Sequence, residues 1–266
     1  MNVTATHAPG TFCWLDLAAH DNEGAKAFYT ALFGWEADDA RYGDAPDEVY
    51  TTYRLGGRDV AASYTMDAAQ RSMGVPPAWL QYVCVEDAGD SAARAAELGA
   101  TLLSEAFEVM EYGRMALVQD PAGALLALWE PLAHAGVGVR DEPGSLCWVE
   151  LATRDTDRAR GFYAGLFGWG TRRMEGSPQA YEAFTRGEER VGGMFGITPG
   201  MGEMPSTWFP YFAVEDTDAT AARVKELGGE VVMGPEDIPD VGRFCFLQDP
   251  QGAMFYVIKL APMPAS

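Results

Sequence analysis

Asp16 and Glu150 are the side chains best suited to acid–base chemistry. Each is a carboxylate inside an otherwise apolar, alternating segment, FCWLDLA at 12–18 and LCWVELA at 146–152. Such alternation reads as a strand, with Leu15 and Leu17 on one face and Trp14, Asp16 and Ala18 on the other. The same parity groups Trp148, Glu150 and Ala152. A carboxylate among apolar neighbours must be paired, hydrogen-bonded or protonated, because burying it bare and ionised is costly. One role is an ion pair with Arg114 or Arg243, each of which follows a glycine ahead of a QDP turn. The other is a polar anchor, or a general base of raised pKa. Other reactive groups are sparse. His7, His20 and His134 stand apart, in a tail, just past a strand and between two halves, and read as solvated surface residues. Cys13, Cys84, Cys147 and Cys245 form no CxxC pair, so a reduced protein is expected. No Ser–His–Asp set, phosphate loop or nucleotide fingerprint is visible.

The elements that carry these residues occur twice. FYTALFGW at 28–35 returns as FYAGLFGW at 162–169, inside a gapless match of 10–35 to 144–169. WLQYVCVED answers WFPYFAVED, and the QDPAG turn answers QDPQG, in the same order. This is a tandem duplication, since the period is too long for a solenoid unit. The expected boundaries are a tail at 1–9, copy one at 10–130, a Gly/Pro-rich linker at 131–143, copy two at 144–260 and a tail at 261–266.

In copy one the first strand leads into DNEGAKAFYTALFG, whose apolar residues recur at helical spacing up to Gly34. Strands VYTTYRL and DVAASYTM follow, joined at Gly56-Gly57, then a polar loop at 67–78. WLQYVCV, a helix ending at Gly99 and strands TLLSEAFEV, RMALVQD and ALLALWE complete the copy, with QDPAG as a turn. Each copy therefore holds two strand–helix–strands units, an α+β pattern. In FYxxLFGW the apolar positions form one broad helix face, and the glycine suits a left-handed cap, so it reads as a fold signature.

Composition sets outer limits. The 266 residues are 48% hydrophobic and 12% aromatic, enough for a sizeable core. A formal net charge of −20 opposes nucleic acids and anionic membranes. No apolar run approaches the ~20 residues that span a bilayer, and MNVTATHAPG lacks the features of a signal peptide. A cytoplasmic protein is expected. The preference for Arg over Lys and the scarcity of Ile match a high-GC genome, such as an actinomycete's.

The ordered set of FY, LFGW and QDPxG, repeated twice, resembles the vicinal oxygen chelate (VOC) superfamily. Glyoxalase I, bleomycin-resistance proteins, extradiol dioxygenases and fosfomycin-resistance enzymes belong to it. The resemblance implies tandem VOC domains, each of two βαβββ units curled into a cup, with the two domains paired inside the chain and further pairing between chains left open. It also implies where metalloenzymes of the family place His, Glu or Gln. Those positions fall on Trp14 and Trp148, Leu80 and Phe209, Ala127 and Tyr256, with a last pair in VAASYTM and VGGMFGI. None offers a strong donor for a divalent cation, so neither metal nor other cofactor is expected.

Parity assigns Trp14, Tyr82, Ala127 and Trp129 to the cup of copy one, and Trp148, Phe195, Tyr211 and Tyr256 to that of copy two. Aromatic walls with few polar groups suit a flat organic ligand, and they equally suit a closed core. Ala127 against Tyr256 makes copy one the roomier, so Asp16 is expected to serve a ligand and Glu150 the structure. Loops at 67–78 and 198–207, with Met, Gly and Pro, read as lids or as plain connectors. Three functions compete. The first is metal-free binding of a small apolar or aromatic molecule, as in bleomycin resistance. The second is a metal-independent isomerase, lyase or hydroxylase component of aromatic natural-product metabolism, with Asp16 or Glu150 as acid or base. The third is a metal-dependent lyase of the glyoxalase I type.

Overall fold

A computed structural model describes residues 7–45, 48–174 and 180–262. Most of the two expected tails lies outside the described residues. Copy one runs β1 (Phe12–Ala19), α1 (Asn22–Phe33), β2 (Glu36–Arg41), β3 (Val49–Leu55), β4 (Arg58–Thr65), α2 (Ala68–Ser72), β5 (Ala78–Cys84), α3 (Ala88–Glu97), β6 (Thr101–Val109), β7 (Gly113–Gln119) and β8 (Leu125–Pro131). Copy two repeats it as β9 (Leu146–Thr153), α4 (Thr156–Phe167), β10 (Gly170–Arg173), β11 (Glu182–Arg186), β12 (Glu189–Gly196), β13 (Thr207–Ala213), α5 (Thr217–Glu226), β14 (Glu230–Ile238), β15 (Gly242–Gln248) and β16 (Met254–Leu260). Each copy forms an eight-stranded mixed sheet, ordered β2-β3-β4-β1-β5-β8-β7-β6 and β10-β11-β12-β9-β13-β16-β15-β14. This is the expected α+β pattern of paired βαβββ units. No described helix is long and apolar enough to cross a membrane.

Local chemistry explains most of the elements. α1 and α4 stop at Gly34 and Gly168, both left-handed, whose N–H groups return to Thr30 and Ala164. Gly56 and Gly57 both have positive φ, as a two-residue hairpin turn requires. Two expectations need correction. Part of the 67–78 loop is helical, because Asp67 and Gln70 form a reciprocal capping box around α2. β2, EADDAR, gave no apolar alternation because all its residues are exposed at a sheet edge. Polar bonds hold it instead: Asp39 accepts from Lys26 and from Thr51, each at 2.7 Å, and Arg54 reaches Asp38 at 2.9 Å. An acidic edge strand also discourages pairing with other chains.

Compaction does not follow the copies. Among the described residues the first compact unit takes the chain up to Trp14, Leu80–Gly136 and Trp148–Phe209. The second takes Leu15–Trp79, Val137–Cys147 and Pro210 onward. Each unit therefore joins part of one copy to part of the other, and the signature octapeptide makes the join.

In the second unit the Tyr29 hydroxyl donates to Asp249 Oδ2 at 3.0 Å and accepts from Trp79 Nε1 at 3.1 Å. Asp249 is the aspartate of the copy-two QDP turn, and its Oδ1 takes the N–H groups of Gln251 and Ala253. Trp35 Nε1 donates to the Gly144 carbonyl at 2.7 Å. The first unit repeats the arrangement. Tyr163 donates to Asp120 at 2.8 Å and accepts from Trp208 at 2.8 Å, while Trp169 donates to Gly10. Phe28, Phe33, Phe212 and Phe255 pack around the first tyrosine–tryptophan pair, and Phe12, Phe167 and Phe184 around the second. The Tyr and Trp of FYxxLFGW thus each donate a hydrogen bond to the other copy.

Tyr29→Phe and Tyr163→Phe keep the ring and strand two buried polar partners each. Each is expected to cost about 1–3 kcal/mol in urea unfolding; a loss within error would show that these bonds do not hold the units together. A pH test follows. Burial raises the pKa of Asp120 and Asp249 above the ordinary 3.8, against the opposing pull of their backbone and tyrosine hydrogen bonds. A raised folded-state value makes the protonated form the one that folding favours. Its stabilisation is complete below the ordinary value and is lost as pH rises through the raised one. Asp120→Asn and Asp249→Asn remove that titration. Their stability relative to the parent protein should climb as pH rises from 3.8 through the raised values and then level off. A pH-independent difference would contradict the assignment.

Candidate functional site

The first unit gathers an aromatic cluster from β1, β5 and β8. Parallel pairing sets Tyr82 beside Ala127 and Cys84 beside Trp129, and the β7 strand adds Leu117 and Met115 opposite Ala127 and Trp129. The rings of Tyr82 and Trp129 lie 6.1 Å apart at 75°. Trp14 meets His134 edge-on, with ring centroids 4.4 Å apart at 85°. His134 also lies 6.1 Å from Trp129. Trp14, Tyr82, Ala127 and Trp129 are all at most 6% exposed, so these walls face protein far more than open solvent.

His134 corrects the reading of a solvated linker histidine, since it is half-buried. The start of the linker is pinned. Leu132 and His134 N–H groups donate to the Tyr112 carbonyl, and Trp129 Nε1 donates to the His134 carbonyl at 3.0 Å. Gly136 then passes against β1 with a φ of +120°, where a Cβ would collide with the Cys13 carbonyl oxygen. His7 is half-buried too, its carbonyl accepting from the Cys84 thiol. His20 is exposed, as expected.

The corresponding positions of copy two, in the second unit, are filled. Tyr211 and Tyr256 are register partners whose rings stack 4.2 Å apart at 4°, and Phe246 stacks on the other side of Tyr256 at 4.2 Å. Where copy two places the phenol of Tyr256, copy one has the methyl of Ala127.

The two carboxylates fall in different units. Asp16, in the second unit, is 3% exposed and accepts from the Tyr50 hydroxyl at 3.4 Å. Tyr50 is register partner to Tyr64, with rings 6.4 Å apart. Burial first, and then the charge of Asp16, lifts the Tyr64 hydroxyl well above the usual tyrosine range. Glu150, in the first unit, is buried in register with Gly193. Trp148, half-buried on the same strand, donates to the Tyr181 hydroxyl at 2.7 Å. Tyr181 crosses Gly193 so closely that any Cβ there would overlap its hydroxyl. Phe195 sits on the same β12 strand, two residues on and also buried. The arginine pairing considered for these carboxylates is not formed: Arg114 reaches Glu130 at 3.0 Å, and Arg243 reaches Asp218 at 2.6 Å and Asp237 at 3.2 Å.

The residues do not fit a divalent cation at the positions that the fold reserves for one. Trp14, Leu80, Ala127, Trp148, Phe209 and Tyr256 bring indole, alkyl and phenyl groups, with only a neutral phenol among them. Among the described residues no three His, Cys, Asp or Glu side chains converge on one point. The cysteines are buried free thiols, and burial pushes Cys147 up to about 12 and Cys245 up to about 11. A groove of about 390 Å³ in the second unit, lined by Leu32, Phe33, Pro143, Asp216 and Arg223 among others, is open and shallow.

Comparison with known proteins agrees with this architecture. The family model "Glyoxalase/Bleomycin resistance protein/Dioxygenase superfamily" matches residues 11–148 and 145–257. CFP32 of Mycobacterium bovis, a provisionally named glyoxylase, is 40% identical over 254 residues, covering 95% of this chain and 96% of its own. The anthracycline biosynthesis protein DnrV of Streptomyces peucetius is 35% identical over 265 residues, covering 95% and 94%. In fold, the chain is similar to the 2,3-dioxygenase LapB of Pseudomonas sp. KL28 (TM-score 0.64, 13% identity, 98% and 96% covered). It is equally similar to a Mn(II)-bound glyoxalase of Novosphingobium aromaticivorans (TM-score 0.64, 14% identity, 94% and 82% covered). The chain belongs to the glyoxalase/bleomycin resistance protein/dioxygenase superfamily, as a tandem pair of its domains.

Proposed function

We propose that this protein binds a small, flat, largely apolar or aromatic molecule against the copy-one cluster of Trp14, Tyr82, Ala127 and Trp129, without a metal. The observation that carries the reading is the difference at one register position. Tyr256 is the middle of a three-ring stack, while Ala127 leaves the matching place beside Tyr82 with a single methyl group. Duplication supplied two equal frames. In copy two Tyr211, Tyr256 and Phe246 stack on one another, and in copy one the ring-lined wall carries a methyl where copy two has a phenol, the place this reading gives to a planar guest. Offset and edge-to-face contacts with indole and phenol rings would supply both affinity and orientation. The absence of donor side chains at the ligand positions supports a function resting on shape and ring contacts rather than on a Lewis acid. The relative named for anthracycline biosynthesis supports a polycyclic aromatic guest.

A second reading, a metal-independent tailoring enzyme of aromatic natural-product metabolism, is favoured by the buried Asp16 and its Tyr50 partner. In it Asp16 moves a proton or anchors a polar substituent, and Glu150 does neither.

1,8-Dihydroxyanthraquinone serves as probe, followed by quenching of tryptophan fluorescence. Ala127→Tyr is expected to weaken its binding at least about tenfold, the scale of losing one well-packed ring contact. Tyr256→Ala should leave affinity unchanged while lowering stability by about 3–5 kcal/mol. Equal affinity in Ala127→Tyr, or binding that is lost on chelator treatment and restored by Zn, Ni or Mn, would sink the metal-free copy-one reading. Asp16 belongs to the other unit, so Asp16→Asn should leave probe affinity at the copy-one cluster alone, as should Glu150→Gln. A large stability loss with unchanged affinity in Asp16→Asn would make that carboxylate purely structural.

A further inference from the structure

We propose that the groove at the C-terminal end of α1, in the second unit, is a binding site for a small organic cation, an ammonium group carried on an apolar or aromatic body. It draws on residues of that unit alone and does not depend on the copy-one cluster.

The groove measures about 390 Å³, inside the ~300–1,000 Å³ typical of small-molecule sites. Leu32, Phe33, Val214 and Ala219 give it apolar surface, and the exposed carboxylates of Glu215 and Asp216 share the lining. The apolar part is firmly held. Phe33 packs on Trp35 at 4.8 Å and on Phe212 at 5.0 Å. Gly144, also in the lining, is tied by its carbonyl to the Trp35 indole and by its N–H to the Ala213 carbonyl.

Copy two departs from copy one where it matters to this groove. VEDAGDSAAR at 85–94 answers VEDTDATAAR at 214–223. Gly165 of α4 lies so close to Leu98 that a Cβ there would sit 2.8 Å from a methyl of that leucine. In α1 the matching residue is Ala31, so Leu227, the counterpart of Leu98, cannot come as near without a shift. Ala219 stands where copy one has Asp90, which takes a charge out of the apolar wall. Asp218 stands where copy one has Gly89. A Cβ at Gly89 would lie 3.9 Å from Arg114, which itself lies 3.8 Å from Asp87. In copy two the aspartate at that place takes the arginine: Arg243 bonds Asp218 at 2.6 Å and Asp237 at 3.2 Å. Asp216, the counterpart of Asp87, is left without it. Among the described residues no cation pairs with Glu215 or Asp216. Arg223, the basic residue of the lining, is bonded to Glu226 at 2.9 Å.

The charge of the ligand follows. Asp216 Oδ1 accepts from the Ala219 N–H and so fills the N-terminus of α5 that would otherwise draw an anion. The last turn of α1 presents the negative end of a helix dipole and carries no basic residue. Two carboxylates and a helix C-terminus beside an apolar surface complement a positive charge on an apolar body.

The test titrates phenethylamine, 2-phenylethanol and 3-phenylpropionate separately into the isotope-labelled whole protein, read by amide NMR shifts. Phenethylamine, charged at neutral pH, should give saturable shifts at Phe33, Val214 and Ala219. Its affinity should be roughly tenfold above that of the alcohol, the scale of one charge-assisted contact. 3-Phenylpropionate sets a carboxylate against Glu215 and Asp216 and should not bind. Added salt should weaken the amine more than the alcohol. Glu215→Gln combined with Asp216→Asn removes both charges while asparagine still caps α5, and should bring the amine down to the level of the alcohol. Ala219→Phe fills the groove and should abolish the shifts from both. Melting temperatures confirm that each variant is folded. If the double variant unfolds, the salt dependence and Ala219→Phe decide. Equal affinity for amine and alcohol, undiminished amine affinity in the folded double variant, or shifts that never saturate and scatter over the acidic surface would overturn the site. Saturable shifts at Trp14 and Trp129 with none in the groove would overturn it too, and would leave the copy-one reading standing.

Discussion

A buried tyrosine hydroxyl joined to a turn aspartate holds each compact unit together. Tyr29 reaches Asp249 across the duplication, and Tyr163 reaches Asp120 in the reciprocal sense. Each hydroxyl is both donor and acceptor, since a tryptophan indole closes the other side. Nothing in this triad is exposed, so an error in placing either helix would strand an aspartate, a hydroxyl and an indole at once. That constraint explains why the octapeptide persists nearly unchanged in both copies while the strands facing the candidate sites have diverged. The frame has to be written twice, and the contents do not.

Divergence is greatest where the frame leaves choice. Copy two closes its positions with Tyr211, Tyr256 and Phe246 in one stack. Its first strand adds Trp148 bonded to Tyr181 over Gly193. Copy one places Ala127 at the centre and a histidine from the linker at the margin. Asp16 and Glu150 occupy equivalent strand positions, and Asp16 accepts from the Tyr50 hydroxyl. The duplicated domain therefore keeps one set of packing rules and applies them to two different interiors.

The fold was largely legible in the sequence because its signals are local. Helical spacing in AKAFYTALF, the glycines that end α1 and α4, the Gly56-Gly57 turn and the QDPxG turn each act within a few residues. FYxxLFGW reads correctly as a fold signature, although its spacing does not disclose that Tyr29 and Trp35 bond to copy two. β2 was not legible, because an exposed acidic edge strand has no apolar face to show. The candidate site was less legible. Strand parity groups Trp14, Tyr82, Ala127 and Trp129, which fall in one unit, and does not disclose that Asp16 falls in the other. It cannot find Tyr50, Tyr181 or His134, whose positions depend on contacts made far along the chain. For His134 the one usable sign was Gly136, a residue that lets two backbones touch. Likewise Arg114 and Arg243 turn to acidic neighbours on their own side, a choice made by tertiary geometry rather than by spacing.

The central claim is that copy one, and not copy two, receives a planar aromatic guest. A crystal structure of the protein grown with 1,8-dihydroxyanthraquinone tests it most directly. The account requires ring density against Trp14 and Trp129 beside Ala127, with the stack of Tyr211, Tyr256 and Phe246 undisturbed. Density inserted into that stack, or none at Trp14, would contradict it.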